Sequence, residues 1–173
     1  MSQPQAQMLL NFIDNSPSPW HVAISIAKEL EIQDFQCLDE RDAWKLEAGG
    51  RYYVVRDGSS LIGFVVGDGD PIQQGFRMIG AHTDSPGLRV KPYAPYTKGP
   101  MVRLGVEVYG GPILATFTDR DLSLAGRREN RGQTTFLYVS FNRRGYVWKR
   151  KILMGNDSEN KYGLSPIFRY SLL

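Results

Sequence analysis

The feature that most limits what this chain can fold into is a change of period. Helical spacing of apolar residues is confined to the first thirty or so positions. From Arg89 on, "VRLGVEVYGG", "ILATFTD" and "LSLAGRR" are short alternating segments broken by Gly and Pro, with no helical stretch between them. A period near 3.6 that gives way to a period of 2 predicts helices and a sheet first, then a β-rich region. The expected fold class is therefore α/β followed by an all-β portion beginning near residue 93. The early elements have specific boundaries. Met8, Leu9, Phe12 and Ile13 suggest a short amphipathic helix over Gln5 to Asp14, which "NSPSPW" ends. Ser18 as N-cap and Pro19 in the first turn then predict a second helix to about Leu30, with Val22, Ala23, Ile26, Ala27 and Leu30 along one stripe.

"RYYVV" and "LIGFVVG", separated by Asp57-Gly58-Ser59-Ser60, predict a hairpin. "DGDPIQQG" is expected as a loop, and "FRMIGA" as a buried strand whose end delivers His82 to the C-terminal edge of a sheet, where open α/β sheets place ligands. Beyond Arg128, "TTFLYVSF" and "GYVWKRKILMG" are strand-like and "NDSENKYGLSP" is loop.

Charge divides the chain differently. Residues 1–127 hold 12 Lys+Arg and 15 Asp+Glu, a net of −3, and residues 128–173 hold 9 and 3, a net of +6. A reversal of that size is expected to mark a boundary. The single cysteine, Cys37, excludes an internal disulfide framework and a multi-cysteine zinc site, and a small packed side chain is its expected role. No stretch approaches the roughly 20 apolar residues of a membrane span and no secretory leader opens the chain, so a cytoplasmic, soluble protein is expected.

His82 and Asp84, in "GAHTDSPGLRVKP", carry the chemistry. Residues i and i+2 of an extended segment point the same way, so the carboxylate of Asp84 is placed to accept the far ring N–H of His82, fixing its tautomer and turning the other nitrogen toward a metal. A serine-hydrolase triad is the alternative pairing, and the chain lacks the Gly-x-Ser-x-Gly elbow it needs. Asp119 and Asp121 in "TDRDL" are further ligand candidates, but are better explained as strand carboxylates held by Arg120 or Arg127.

"IGAHTDSPGLRVKP" resembles the metal-binding segment of the aspartyl aminopeptidases, a family of co-catalytic zinc exopeptidases. "FIDNSPSPWHV", "RLGVEVYGG" and "TDRDLSLAGR" resemble three other stretches of that family in the same order. The resemblance implies that residues 1–92 are the opening part of a zinc-peptidase catalytic domain and 93–173 a β-rich inserted domain, with 128–173 of unassigned origin. It implies His82 as a metal ligand, Asp84 as the catalytic-site carboxylate that orients it, two zinc ions, and removal of acidic N-terminal residues from peptides. His21 matches the N-terminal motif and is given no metal role. In that family the remaining ligands and a Glu-Glu pair follow the β insertion, and the metals polarise the scissile carbonyl while a glutamate takes a proton from water. This chain has no Glu-Glu and no histidine after His82, so most of the active site is expected to lie outside it.

Homo-oligomers and a peptide substrate are the implied partners, with no membrane and no nucleic acid. Two other functions are open. A non-catalytic assembly fragment follows from the apolar surface that a half-domain exposes. A basic nucleic-acid module is suggested by "RREN" and "NRRGYVWKRK", although a charged β-edge that resists aggregation accounts for them more simply.

Overall fold

The computed structural model describes residues 3–98, 101–118, 122–130, 133–141, 147–152 and 168–172. The chain forms two compact units, residues 1–83 and 84–173.

In the first unit, α1 (Gln3–Asn15) and α2 (Pro19–Ile32) precede a sheet of β1 (Gln36–Cys37), β2 (Arg51–Arg56) and β3 (Ser60–Val65) in the order β1-β2-β3. β1 runs parallel to β2, and β2 pairs antiparallel with β3 from Arg51↔Val65 to Arg56↔Ser60. Asp57 and Gly58 both adopt positive φ (50° and 66°), and the Ser59 N–H donates to the Arg56 carbonyl at 3.1 Å. Two left-handed residues in a row match the twist of the paired strands, which is why Asp-Gly closes the hairpin.

The core of this unit gathers on β2, the middle strand. Tyr52, Tyr53 and Val54 are all buried because α2 lies against the sheet and aromatic residues cover the rest. Tyr52 packs on Phe64 (centroids 5.7 Å apart) and Trp44 on Phe64 (6.3 Å), and the Tyr53 hydroxyl donates to Glu31 Oε1 of α2 at 2.7 Å. That hydrogen bond and burial together push the Tyr53 phenol well above its ordinary pKa, burial being the larger cause. Gly63 gives α2 its approach: a Cβ there would lie 3.3 Å from Leu30 Cδ1.

Three local expectations change. "DGDPIQQG" contains one helical turn, α3 (Pro71–Gln74), rather than plain loop. Asp70 Oδ1 accepts from the Ile72 N–H at 2.9 Å, Pro71 occupies the first turn and Gly75 ends it at φ 67°, so cap, start and stop are all supplied locally. Cys37 is exposed rather than packed, since the two-residue β1 is the outer strand of its sheet. "FRMIGA" is not a strand. Residues 76–81 are irregular, with Phe76, Met78 and Ile79 all exposed, Ile79 fully so at 103%. A strand requires another alongside to satisfy its backbone, and no described strand pairs with this run.

The second unit is a sheet in the order β5-β4-β9-β6-β7-β8, antiparallel throughout its described pairs. It comprises β4 (Gly87–Lys98), β5 (Met101–Tyr109), β6 (Leu124–Asn130), β7 (Gln133–Phe141), β8 (Val147–Ile152) and β9 (Phe168–Leu172). β4 and β5 form a hairpin whose register shifts between Val90 and Pro95. Proline has no N–H for the ladder, so an irregularity beside Pro92 and Pro95 is expected. β9 inserts between β4 and β6, and Val90 and Ala125 are buried there. β6 runs unbroken through Arg127 and Arg128, so the point at which the net charge reverses is interior to a strand.

"ILATFTD", expected to be strand-like, contains the helical turn α4 (Ala115–Thr118). Thr116 and Thr118 back-bond through Oγ1 to the carbonyls of Ile113 and Ala115 (2.7 and 3.0 Å), a local alternative to the sheet ladder.

Candidate functional site

His82 lies in the irregular segment that follows residues 76–81 and is exposed. Its segment is tied to the β2–β3 turn by the next residue, whose hydroxyl, Thr83 Oγ1, donates to the Ser59 carbonyl at 2.9 Å. The histidine is therefore carried by an anchored loop instead of by a strand end.

Asp84 begins the second unit and is half-buried. The turn Asp84-Ser85-Pro86 leads into β4, where Gly87 stands opposite Tyr109 in the ladder. The Tyr109 hydroxyl donates to Asp84 Oδ2. Arg89, two residues along β4, lays its guanidinium over the Tyr109 ring, 3.4 Å from the centroid. Donation to the carboxylate is the main reason the Tyr109 phenol is pushed above its ordinary pKa, with the nearby Arg89 charge opposing the shift. Gly110 continues from Tyr109 at φ 69°, and a Cβ there would meet Pro86 at 3.4 Å. Turn and hairpin end are thus in close packing contact.

His21 is buried at 3% exposure, as is Ser18. The Ser18 Oγ to His21 Nδ1 distance is 2.7 Å, and burial pushes the imidazole below its ordinary pKa. Ser18 is the N-cap residue expected from the sequence, in extended backbone, but its hydroxyl makes no capping bond to the helix backbone and pairs with His21 instead. Asp119 and Asp121 lie outside the described residues, as do the side chains of "NRRGYVWKRK".

Among the described residues no three His, Cys, Asp or Glu side chains come together as a metal-ligand set. A catalytic zinc ordinarily takes three protein ligands. The described residues do not by themselves make up a zinc site. Sequence reasoning gave no role to Tyr109 or Arg89. The only available signal was the stretch "RLGVEVYGG", whose likeness to the family carried no function for its tyrosine.

Residues 12–139 match the sequence model of the aminopeptidase I zinc metalloprotease (M18) family. Among curated proteins, the probable M18 family aminopeptidase 2 of Pseudomonas paraeruginosa (strain DSM 24068 / PA7) is 54% identical over 121 residues, covering 70% of this chain and 28% of its own length. The corresponding protein of Azotobacter vinelandii (strain DJ) is 48% identical over 141 residues, 82% of this chain and 30% of its own. The chain thus spans under a third of these relatives. Among solved structures, yeast aminopeptidase 1 superposes with a TM-score of 0.71 at 27% identity, over 79% of this chain and 34% of that one. The S. cerevisiae mApe1 dodecamer gives 0.69 at 29%, over 77% and 33%. No helix among the described residues is long and apolar enough to cross a membrane.

Proposed function

The chain belongs to the aminopeptidase I zinc metalloprotease (M18) family, and from that premise we propose that it supplies the opening part of a zinc-dependent aminopeptidase which removes acidic residues from peptide N-termini. The observation that carries the proposal is the family match across residues 12–139, which contains the whole His82-Thr83-Asp84 segment. In this reading His82 contributes one metal-ligating nitrogen and Asp84 orients the ring, as a carboxylate on the far nitrogen does in metal sites generally. The other ligands of a two-zinc centre come from residues outside the described part of this chain. Residues 1–92 belong to the catalytic domain and the β-rich stretch from about 93 is an insertion in it. The protein works in the cytoplasm as a homo-oligomer, a reading supported by the dodecameric state of the yeast neighbour.

Two measurements test this. Dialysed against micromolar zinc, the purified chain is expected to retain well under one equivalent, because a single imidazole competes poorly with water and buffer. One equivalent retained and lost in His82→Ala would overturn the incomplete ligand set. Co-expressed with the remaining portion of the Pseudomonas relative, the chain is expected to restore hydrolysis of aspartyl and glutamyl p-nitroanilides over leucyl and lysyl ones. Restored activity without that preference would refute the acidic specificity.

A second reading, a non-catalytic assembly fragment, is favoured by one observation: Phe76, Met78 and Ile79 form an exposed apolar run. Sedimentation that shows a monomer at all concentrations would dismiss it.

A further inference from the structure

We infer that Tyr109 is a positioning residue for Asp84, so that the β4–β5 hairpin, and not the turn on which Asp84 sits, sets the direction of its carboxylate. The inference rests on the reading of Asp84 as the group that orients His82.

Asp84 stands on a three-residue turn outside any helix or strand. A carboxylate there rotates about two torsions, and a fixed direction has to be imposed by neighbours. The ladder supplies them. Tyr109 is paired in the ladder with Gly87, the first residue of β4 and one with no side chain. Arg89 pairs with Glu107 and is therefore the diagonal neighbour of Tyr109, a relation within reach of long side chains. It uses that reach to cover the ring face at 3.4 Å, well inside the range of a cation–π contact. With its ring covered by the guanidinium, the phenol presents its O–H to Asp84 Oδ2. The acceptor in such a bond is the ionised carboxylate, which makes it the stronger, charge-assisted kind.

The cluster is poorly suited to a packing role. Arg89 is exposed, and Tyr109 and Asp84 are only half-buried, so little apolar surface is removed from water. What the three groups do produce is one carboxylate with a defined direction, held by residues on two paired strands, the rigid support that a functional side chain requires.

The test uses the full 173-residue chain, 15N-labelled on histidine. There are two histidines, so single substitutions assign the ring signals, and far-UV circular dichroism of the β-rich second unit, which carries all three substituted residues, reports whether each variant is folded. At alkaline pH the ratio of the two His82 tautomers is read from the ring nitrogen shifts. Asp84→Asn first establishes the underlying reading: it should lower the wild-type bias by roughly tenfold, the scale of one charge-assisted hydrogen bond. Tyr109→Phe removes one oxygen atom and should lower the bias by most of that factor; Arg89→Gln should do so in part. A merely structural role for Tyr109 would leave the tautomer ratio of folded chain where it was. If Asp84→Asn moves the ratio while Tyr109→Phe and Arg89→Gln do not, Tyr109 positions nothing and the inference is overturned with the function intact. If Asp84→Asn itself changes nothing, the orienting role of Asp84 fails and takes the inference with it. Should Tyr109→Phe lose the β-sheet circular dichroism, Arg89→Gln decides by the same criterion.

Discussion

Replacing Ser18 by Ala removes one oxygen atom from a buried polar contact in the first unit, and its cost can be worked from the contact itself. Ser18 and His21 are each 3% exposed with Oγ and Nδ1 2.7 Å apart. Water cannot easily take the place of the lost hydroxyl, so the variant bears the penalty of a buried polar atom deprived of a partner, about 1–3 kcal/mol. Loss of an ordinary N-cap would cost a similar ~1 kcal/mol, yet the two causes separate. The Ser18 side chain makes no bond to the α2 backbone, whereas its carbonyl accepts from the Val22 N–H at 2.9 Å and survives the substitution. The cost should therefore depend on His21. Urea unfolding followed by tryptophan fluorescence, with Trp20 adjacent in α2, should show Ser18→Ala lowering the midpoint without changing the slope. In a His21→Leu background the same substitution should cost under about 0.5 kcal/mol, since with both partners apolar no polar atom is left stranded. An equal cost in both backgrounds would refute the reasoning and return the hydroxyl to a helix-capping role.

The pH dependence of stability follows from the same pair. Burial places the folded pKa of His21 below its ordinary 6.5, so the unfolded chain binds the proton more readily; this contribution is fully present above pH 6.5, is lost as pH falls below it, and its slope should vanish in His21→Leu when unfolding midpoints are compared across that range. Tyr53→Phe keeps the buried ring and deletes the hydroxyl that donates to Glu31 at 2.7 Å, and should cost about 1 kcal/mol in the same assay. Gly63→Val places branched atoms where even a Cβ lies 3.3 Å from Leu30, and should cost about 1–3 kcal/mol by pushing α2 off the sheet. Gly110→Ala forces a side chain into the left-handed region at φ 69° and against Pro86 at 3.4 Å; it should cost about 1–2 kcal/mol and should be checked by thermal unfolding.

What the sequence by itself determined is whatever depends on neighbours along the chain. Ser18-Pro19 opens α2, Asp57-Gly58 closes the β2–β3 hairpin, and Asp70, Pro71 and Gly75 start and stop a helical turn that composition alone had disguised as loop. Among the described residues, helices α1 to α3 precede β4 and one helical turn, α4, follows it, in the order the change of period suggests. His82 and Asp84 were legible as a spacing of two in a recognisable stretch. The tertiary structure decided what depends on pairing between distant residues. An apolar hexapeptide, Phe76 to Ala81, has strand composition but becomes a strand only beside another, and its six residues remain irregular. Cys37 is exposed because β2, not β1, takes the middle of its sheet. β9 joins β4 and β6 across some eighty and forty intervening positions, a register no local signal encodes. Asp84 meets Tyr109 for the same reason: twenty-five residues apart in sequence, they come together only because a hairpin sets Tyr109 opposite Gly87. Periodicity and turn chemistry act within a few residues and are written in the chain; a hydrogen-bonded ladder exists only when both of its strands are in place.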